Sequence, residues 1–465
     1  MSGSWSLFTA TGALEPRVIE RAAPASLALI LLYAACLAIG NGPGNVLLAI
    51  LGISALPSLL LRPELRRRPI VVFSALVILY LLAMALRAEL DGAPGKHFRA
   101  VDNYAFFAYV PFVAVHVAIA LRYRIGFERL CCLVVAGLVA GAAARLFWDA
   151  NWQAGAALFD SYQWGGGGKN RNYLSIEAGL TVLASGSLLV MTLIQGRWHP
   201  ALRLLGGVAL AVICVLAFLA LLEMKSRTNW IAAAIAMTVW LAVLVAGLLR
   251  HSRRRRAIAA AVVLAFAALI AAGLAAFSGQ IASRFSDNGG VAANIGLFAR
   301  IFAGEIDPAS TDLHGYDPRA YIYVAAGKLI AEKPWFGWGT DLAPLVNQSV
   351  DASVQGARSH FHNAYLEFLV GLGIVGTILI AAHLLAIVVA CRRPNAPPLD
   401  LEAGAVLAAL LAGSLTYIAV VGFAESANRV ELITQTLILV FAVLLGRGSL
   451  GEAMASLPGS ARSAQ

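Results

Sequence analysis

Two histidines two positions apart, His360 and His362, stand with Asn363 at the head of a long apolar run, "SHFHNAYLEFLVGLGIVG" from Ser359. A neutral imidazole near pH 7 can take a proton from an attacking hydroxyl. Asn363 could orient such a base or bind a hydroxyl, and the same residues could instead cap or flank a membrane helix. On a helix, positions two apart point to different faces, so one histidine of the pair is expected to serve a site.

A second set of residues has the chemistry to hold a dense anion. Arg145, Lys169, Arg171, Lys225, Arg227 and Arg319 all lie where an apolar run begins or ends. "WGGGGKNRNYLS" puts four glycines beside two bases just ahead of an apolar run, and "EMKSRTNW" places Lys225 and Arg227 in a short turn. Glycines admit close backbone approach, helix N-termini attract anions, and a guanidinium binds two oxygens at once. Phosphate or pyrophosphate suits such a set. The glycine run could also be a flexible loop, and any single arginine could be a snorkelling flank or an ion-pair partner of Glu177 or Glu223. The acidic stretch "GEIDPASTDLHGYDP" shows no tight metal-ligand spacing and reads as a solvated loop. His97, His116, His199, His251, His314 and His383 read as structural.

The elements that must position these residues are membrane helices. The 465-residue chain is 60% hydrophobic and 13% charged, with mean hydropathy +0.78, against about 25% charged for soluble domains. Apolar runs fall at 24–40, 44–61, 69–88, 105–121, 129–148, 172–194, 202–223, 229–249, 257–277, 363–389, 400–421 and 428–446, which predicts an all-α integral membrane protein of about twelve transmembrane helices. Alternate loops carry the basic clusters, among them "RPELRRRP", "RYRIGFER" and "RHSRRRR". By the positive-inside rule both termini are cytoplasmic. The net charge of +10 is then a topology signal, and a nucleic-acid partner is unnecessary. The five cysteines lie in or beside apolar runs, without the spacing of a metal site or disulfide framework. The first apolar run reads as a retained anchor.

Three parts follow: residues 1–277 with helices one to nine, an outward segment 278–362, and residues 363–465 with helices ten to twelve and a cytoplasmic tail. The outward segment is far longer than an ordinary connection. Within it "PRAYIYVAAGKLIAEKP" reads as an amphipathic helix lying on the membrane surface, followed by interfacial tryptophans in "WFGWGTD". It reads as a small cap over the outer mouth of the bundle.

"HNAYLEFLVGLGIVG" has His362-Asn363, nine residues, Gly373, two residues and Gly376, and this resembles the signature of O-antigen ligases within the O-antigen ligase/polymerase and oligosaccharyltransferase superfamily. "RAYIYVAAGKLIAEKPWFGWGTD" from Arg319 resembles its upstream block, and "KNRN" and "KSRTNW" look like its earlier basic motifs. The resemblance implies a GT-C-type glycosyltransferase of the Gram-negative inner membrane with a periplasmic active site. Implied with it are an O-antigen donor on undecaprenyl diphosphate, a lipid A–core acceptor, and an inverting transfer that needs no metal, nucleotide sugar or other cofactor. His362, which keeps the spacing to Gly373, takes the role of base. Arg319 and Arg227 stabilise the leaving diphosphate, and Lys169, Arg171, Lys225, Arg145, Asn363 and His360 bind substrate. A polymerase, a protein O-oligosaccharyltransferase, or a lipid or polysaccharide transporter remain as alternatives. The transporter reading lacks midplane charge and visible repeats.

Overall fold

The computed structural model describes residues 16–37, 39, 41–149, 171–194, 199–249, 253–286, 296, 300, 305, 319–349, 360–391, 401–448 and 450. Among these the chain is helical, without strands. The main helices are α1 (Pro16–Cys36), α2 (Asn41–Leu61), α3 (Pro69–Leu90), α4 (Val110–Tyr123), α5 (Phe127–Asp149), α6 (Arg171–Ile194), α7 (Pro200–Glu223), α8 (Arg227–Leu249), α9 (Arg253–Ser286), α10 (Arg319–Glu332), α11 (Ala343–Ser349), α12 (Ala364–Ala390), α13 (Leu401–Gly422) and α14 (Glu431–Arg447).

Every predicted span has a helix, and among the described residues ten helices are long and apolar enough to cross a membrane. The protein is therefore a multi-pass membrane protein. The expected first and last spans correspond to α1 and α14, which both pack on α4; α14 has 17 residues. The ninth helix runs past its expected end at 277 to Ser286, because no Pro or charged residue interrupts "AAFSGQIAS".

Proline at the first turn starts α3 and α7, where its missing N–H costs nothing. Small residues let helices approach closely in a medium that offers no hydrophobic drive between them. A Cβ on Gly141 of α5 would strike the Ala35 carbonyl of α1, and one on Gly247 of α8 would strike Ala405 of α13. Polar contacts gather at one end of the bundle. They join the C-terminal ends of α5, α7 and α13 to the N-terminal ends of α6, α8 and α12, as alternating helix direction requires, and Asn45 near the start of α2 to Glu431 at the start of α14.

Helix α10 departs from expectation. Its apolar stripe, Ile322, Ala325, Ala326 and Leu329, is buried against Leu342, Val346, Phe361 and Val370. Protein, not the membrane surface, meets that face, because α11 and the start of α12 fold back to cover it.

The "PWFGWG" segment then enters α12 itself. Trp338 N and Gly339 N donate to Val370 O and Gly371 O, both at 2.9 Å. Ile374 N and Val375 N donate instead to Pro334 O (2.8 Å) and Trp335 O (3.1 Å). In an unbroken helix those two N–H groups would bond Val370 and Gly371. The inserted chain opens two rungs and satisfies all four groups, as buried backbone at membrane depth must be. Gly373 permits the break: its φ of 67° and ψ of −171° suit glycine alone, and a Cβ there would fall on the Trp335 carbonyl. The spacing from His362 to Gly373 therefore fixes how far the histidine lies from this break.

Candidate functional site

The chain reaches α12 through a left-handed turn. His362 has φ 52°, a conformation uncommon outside glycine though enriched in histidine. Several contacts hold it. Phe361 is buried in the apolar cluster around α10, and its N–H donates to Glu367 Oε1 at 3.1 Å. Tyr323 of α10 donates its hydroxyl to His362 O at 3.1 Å. Asn363 is the N-cap of α12: its Oδ1 accepts from Tyr365 N (3.0 Å) and Leu366 N (3.1 Å), and its Nδ2 donates to Phe423 O (2.9 Å). The amide oxygen is taken up by the cap and one Nδ2 hydrogen by Phe423 O, so Asn363 sets the turn and keeps a second N–H.

His360 and His362 precede the helix, so the expectation that they face apart does not hold. Their ring centroids are 4.0 Å apart. Their partners nevertheless differ. His362 Nδ1 lies 3.4 Å from Glu425 Oε2, whereas His360 Nδ1 lies 3.3 Å from Ser426 Oγ, which donates to Glu367 Oε1 at 2.7 Å. Burial, and next the charge of His362, hold the His360 imidazole down at about 4.

Glu425 is the hub of the arrangement. It follows α13, its side chain is 1% exposed, and Oε1 accepts from Arg319 at 2.9 Å and from Asn172 at 2.7 Å. A second guanidinium nitrogen of Arg319 lies 3.5 Å from Thr228 Oγ1, and Asn229 Nδ2 donates to Asn172 O at 3.2 Å. One carboxylate thus gathers the starts of α6, α8 and α10 with the turn before α12. Asn172 follows Arg171 in the chain and Thr228 follows Arg227, so the backbone positions of Arg171, Arg227 and Arg319, three of the four arginines expected at an anion site, meet here, far apart as they are in sequence. Arg227 is half-buried. Lys225 takes the positive-φ position (52°) in the α7–α8 turn. Lys169 and the side chain of Arg171 lie outside the described residues, as do His251, His314 and most of the acidic stretch. Arg145 is held elsewhere: it pairs with Glu177 at 2.7 Å, the ion-pair alternative that its sequence context left open.

An ionised carboxylate only accepts hydrogen bonds, so Glu425 requires the proton of a neutral His362 on Nδ1. That leaves the Nε2 lone pair to take a proton, the arrangement in which a third group orients a base. Arg319 keeps 27% of its side chain exposed, so an anion can still reach it.

Beneath lies a second buried cluster. Glu367, fully buried, accepts from Arg429 Nε at 2.6 Å and Asn428 Nδ2 at 3.3 Å. Sequence reasoning missed Glu425, Glu367, Asn172 and Arg429. Glu367 did carry a signal, an ionisable residue inside an apolar span.

Residues 212–381 match the family model for O-antigen ligase. The matched stretch runs from α7 into α12 and includes Lys225, Arg227, Arg319, His360, His362 and Gly373; Asn172 and Glu425 lie outside it. No curated protein matches the chain. The match supports a ligase- or polymerase-type enzyme with polysaccharide and lipid-linked substrates.

Proposed function

We propose that this protein is an O-antigen ligase of the Gram-negative inner membrane, working at its periplasmic face. It would transfer O-antigen polysaccharide from undecaprenyl diphosphate to a sugar of the lipid A–core. The observation that carries the reading is the Glu425 hub, which brings the His362 imidazole and a partly exposed guanidinium together at one end of a membrane bundle whose residues 212–381 match this family's model.

The chemistry follows from the groups present. His362 Nε2 takes the proton of the acceptor hydroxyl as its oxygen attacks C1 of the donor's reducing-end sugar. The C1–O bond to the diphosphate breaks, and the diphosphate leaves with the electron pair, inverting the anomeric centre. Negative charge grows on phosphate oxygens, where Arg319 and Arg227, with Lys225, Lys169 and Arg171, stabilise it. Donors held in place in a partly dry site would do so without reorganising. Both substrates are lipid-borne, so a site at the membrane surface lets lateral diffusion deliver them. The leaving charge is met by side chains alone, and transfer in the presence of a chelator is the expected behaviour.

Deletion followed by lipopolysaccharide gels tests the reading. Loss of all O-antigen from the core, with long lipid-linked polymer accumulating, is expected. A core capped with a single unit would make the protein a polymerase, and unchanged glycolipids would favour a transporter.

A further inference from the structure

Glu367 has no part in the proposed transfer, yet it is a fully buried carboxylate in an otherwise uncharged stretch, "AYLEFLVGLG". Taking such a group out of water is expensive unless donors surround it. Among the described residues four do. Oε1 accepts from Phe361 N at 3.1 Å and from Ser426 Oγ at 2.7 Å, and Oε2 accepts from Arg429 Nε at 2.6 Å and from Asn428 Nδ2 at 3.3 Å. Four bonds take up the lone-pair sites of one carboxylate. Stability alone does not account for the arrangement, because an apolar pair in place of Glu367 and Arg429 would pack without desolvating two charges.

The four donors come from the two segments that carry the reacting pair. Phe361 immediately precedes His362, and its N–H belongs to the chain just ahead of the left-handed turn at His362, φ 52°. Ser426 immediately follows Glu425, and Asn428 and Arg429 complete the short turn after it. The two segments also meet where Ala364 N donates to Glu425 O at 3.2 Å. From the first turn of α12, the Glu367 side chain folds back over the helix start, where unpaired N–H groups favour negative charge. It thereby ties both segments to one point.

We infer that Glu367 is a positioning residue for the transfer: it holds the turn that carries His362 against the segment that carries Glu425, so that imidazole and carboxylate meet. The inference rests on the proposed reaction and adds a residue that acts on it through His362. Glu367→Gln exposes the role. An amide has one acceptor oxygen, and a bond to the charged Arg429 is the strongest on offer, so that oxygen stays with Arg429 and the NH₂ turns toward Phe361 N and Ser426. The Ser426 hydroxyl can rotate to accept, but the Phe361 N–H cannot. The turn ahead of His362 then loses its hold, while Arg319 and the other bases keep theirs.

The test is a double-mutant cycle in vesicles with lipid-linked donor and rough lipopolysaccharide. Glu367→Gln should lower kcat roughly 10- to 100-fold, the factor by which one hydrogen bond to a charged group weights a conformational equilibrium, and leave both KM values in place. In a His362→Ala background there is no imidazole to place, so the same substitution should cost no more than about twofold, the usual error of additivity. A merely structural Glu367 would lower activity by one factor in both backgrounds. That result, or an unchanged kcat in Glu367→Gln, overturns the inference. Should the unpaired Arg429 prevent folding, Glu367→Gln with Arg429→Met removes both charges together, which buried pairs tolerate, and the same outcomes decide. A wild type that transfers nothing sinks the proposed function instead. The histidine nitrogen NMR spectrum, with His362 assigned by its loss in His362→Ala, then reads the inference alone. A single Nδ1–H form in wild type that becomes a mixture of tautomers in Glu367→Gln supports it, and identical spectra overturn it.

Discussion

Replacing Glu425 by Gln keeps the shape of the hub and removes its charge. The side chain then offers one oxygen and one NH₂ where two acceptors stood. Arg319 and Asn172 both donate to Oε1, and a hydrogen bond to a charged donor is worth about 1.5–3 kcal/mol against roughly 1 for a neutral one. The amide oxygen is therefore expected to stay with Arg319, which turns the NH₂ toward His362 Nδ1. His362 must then accept at Nδ1 and carry its proton on Nε2, where it can no longer take one from the acceptor. The loss should equal the full contribution of a general base, about 10²- to 10⁴-fold in kcat, as when the orienting carboxylate of a catalytic triad is made an amide. Purified variant in vesicles, with lipid-linked donor and rough lipopolysaccharide, gives the rate; donor binding, carried by the arginines, should change little. Near-normal kcat in Glu425→Gln, with His362→Ala inactive, would refute the idea that the carboxylate sets the tautomer.

Other consequences can be checked alongside. Arg319→Lys should lose much activity at normal expression, because a point charge cannot both hold Glu425 and present a fork to phosphate; full activity would remove Arg319 from the anion site. Gly373→Ala should cost about 1–3 kcal/mol for its backbone conformation alone, plus the displacement of Trp335, and thermal unfolding in detergent should show a lowered Tm. His360 is held neutral at about 4 in the fold and titrates near 6.5 when unfolded. The unfolded chain binds the extra proton between those values, so this contribution to stability is present above 6.5 and lost as pH falls toward 4. His360→Gln should flatten the fall in Tm between pH 6.5 and 4, and an unchanged slope would assign that pH dependence to other groups.

Much of the architecture was legible because membrane helices announce themselves. Apolar runs bounded by charge gave every long helix of the bundle, and alternate basic loops gave the alternation that now brings the starts of α6, α8 and α12 to one end. The Asn363 cap could be read from a polar residue ahead of an apolar run. Glu425 could not. In "GFAESANR" it looks like any solvated turn residue, and its burial comes from partners on α6, α10 and the turn before α12. The same holds for Arg429, whose partner Glu367 lies 62 positions away. The face of α10 was misread for a related reason: an amphipathic stripe says that something apolar covers it, without saying whether that is lipid or protein. The glycine spacing was visible, but its cause, a second chain segment inserted into α12, is a long-range fact.

The central claim is that His362 is the base of a transfer from lipid-linked donor to lipid A–core. The most direct measurement is turnover by purified protein with lipid-linked O-antigen and rough lipopolysaccharide, in the presence of chelator, for wild type, His362→Ala and His360→Ala. Robust transfer by the wild type, a fall of about 10²- to 10⁴-fold in His362→Ala, and most activity kept in His360→Ala are expected. Normal turnover in His362→Ala would contradict the claim.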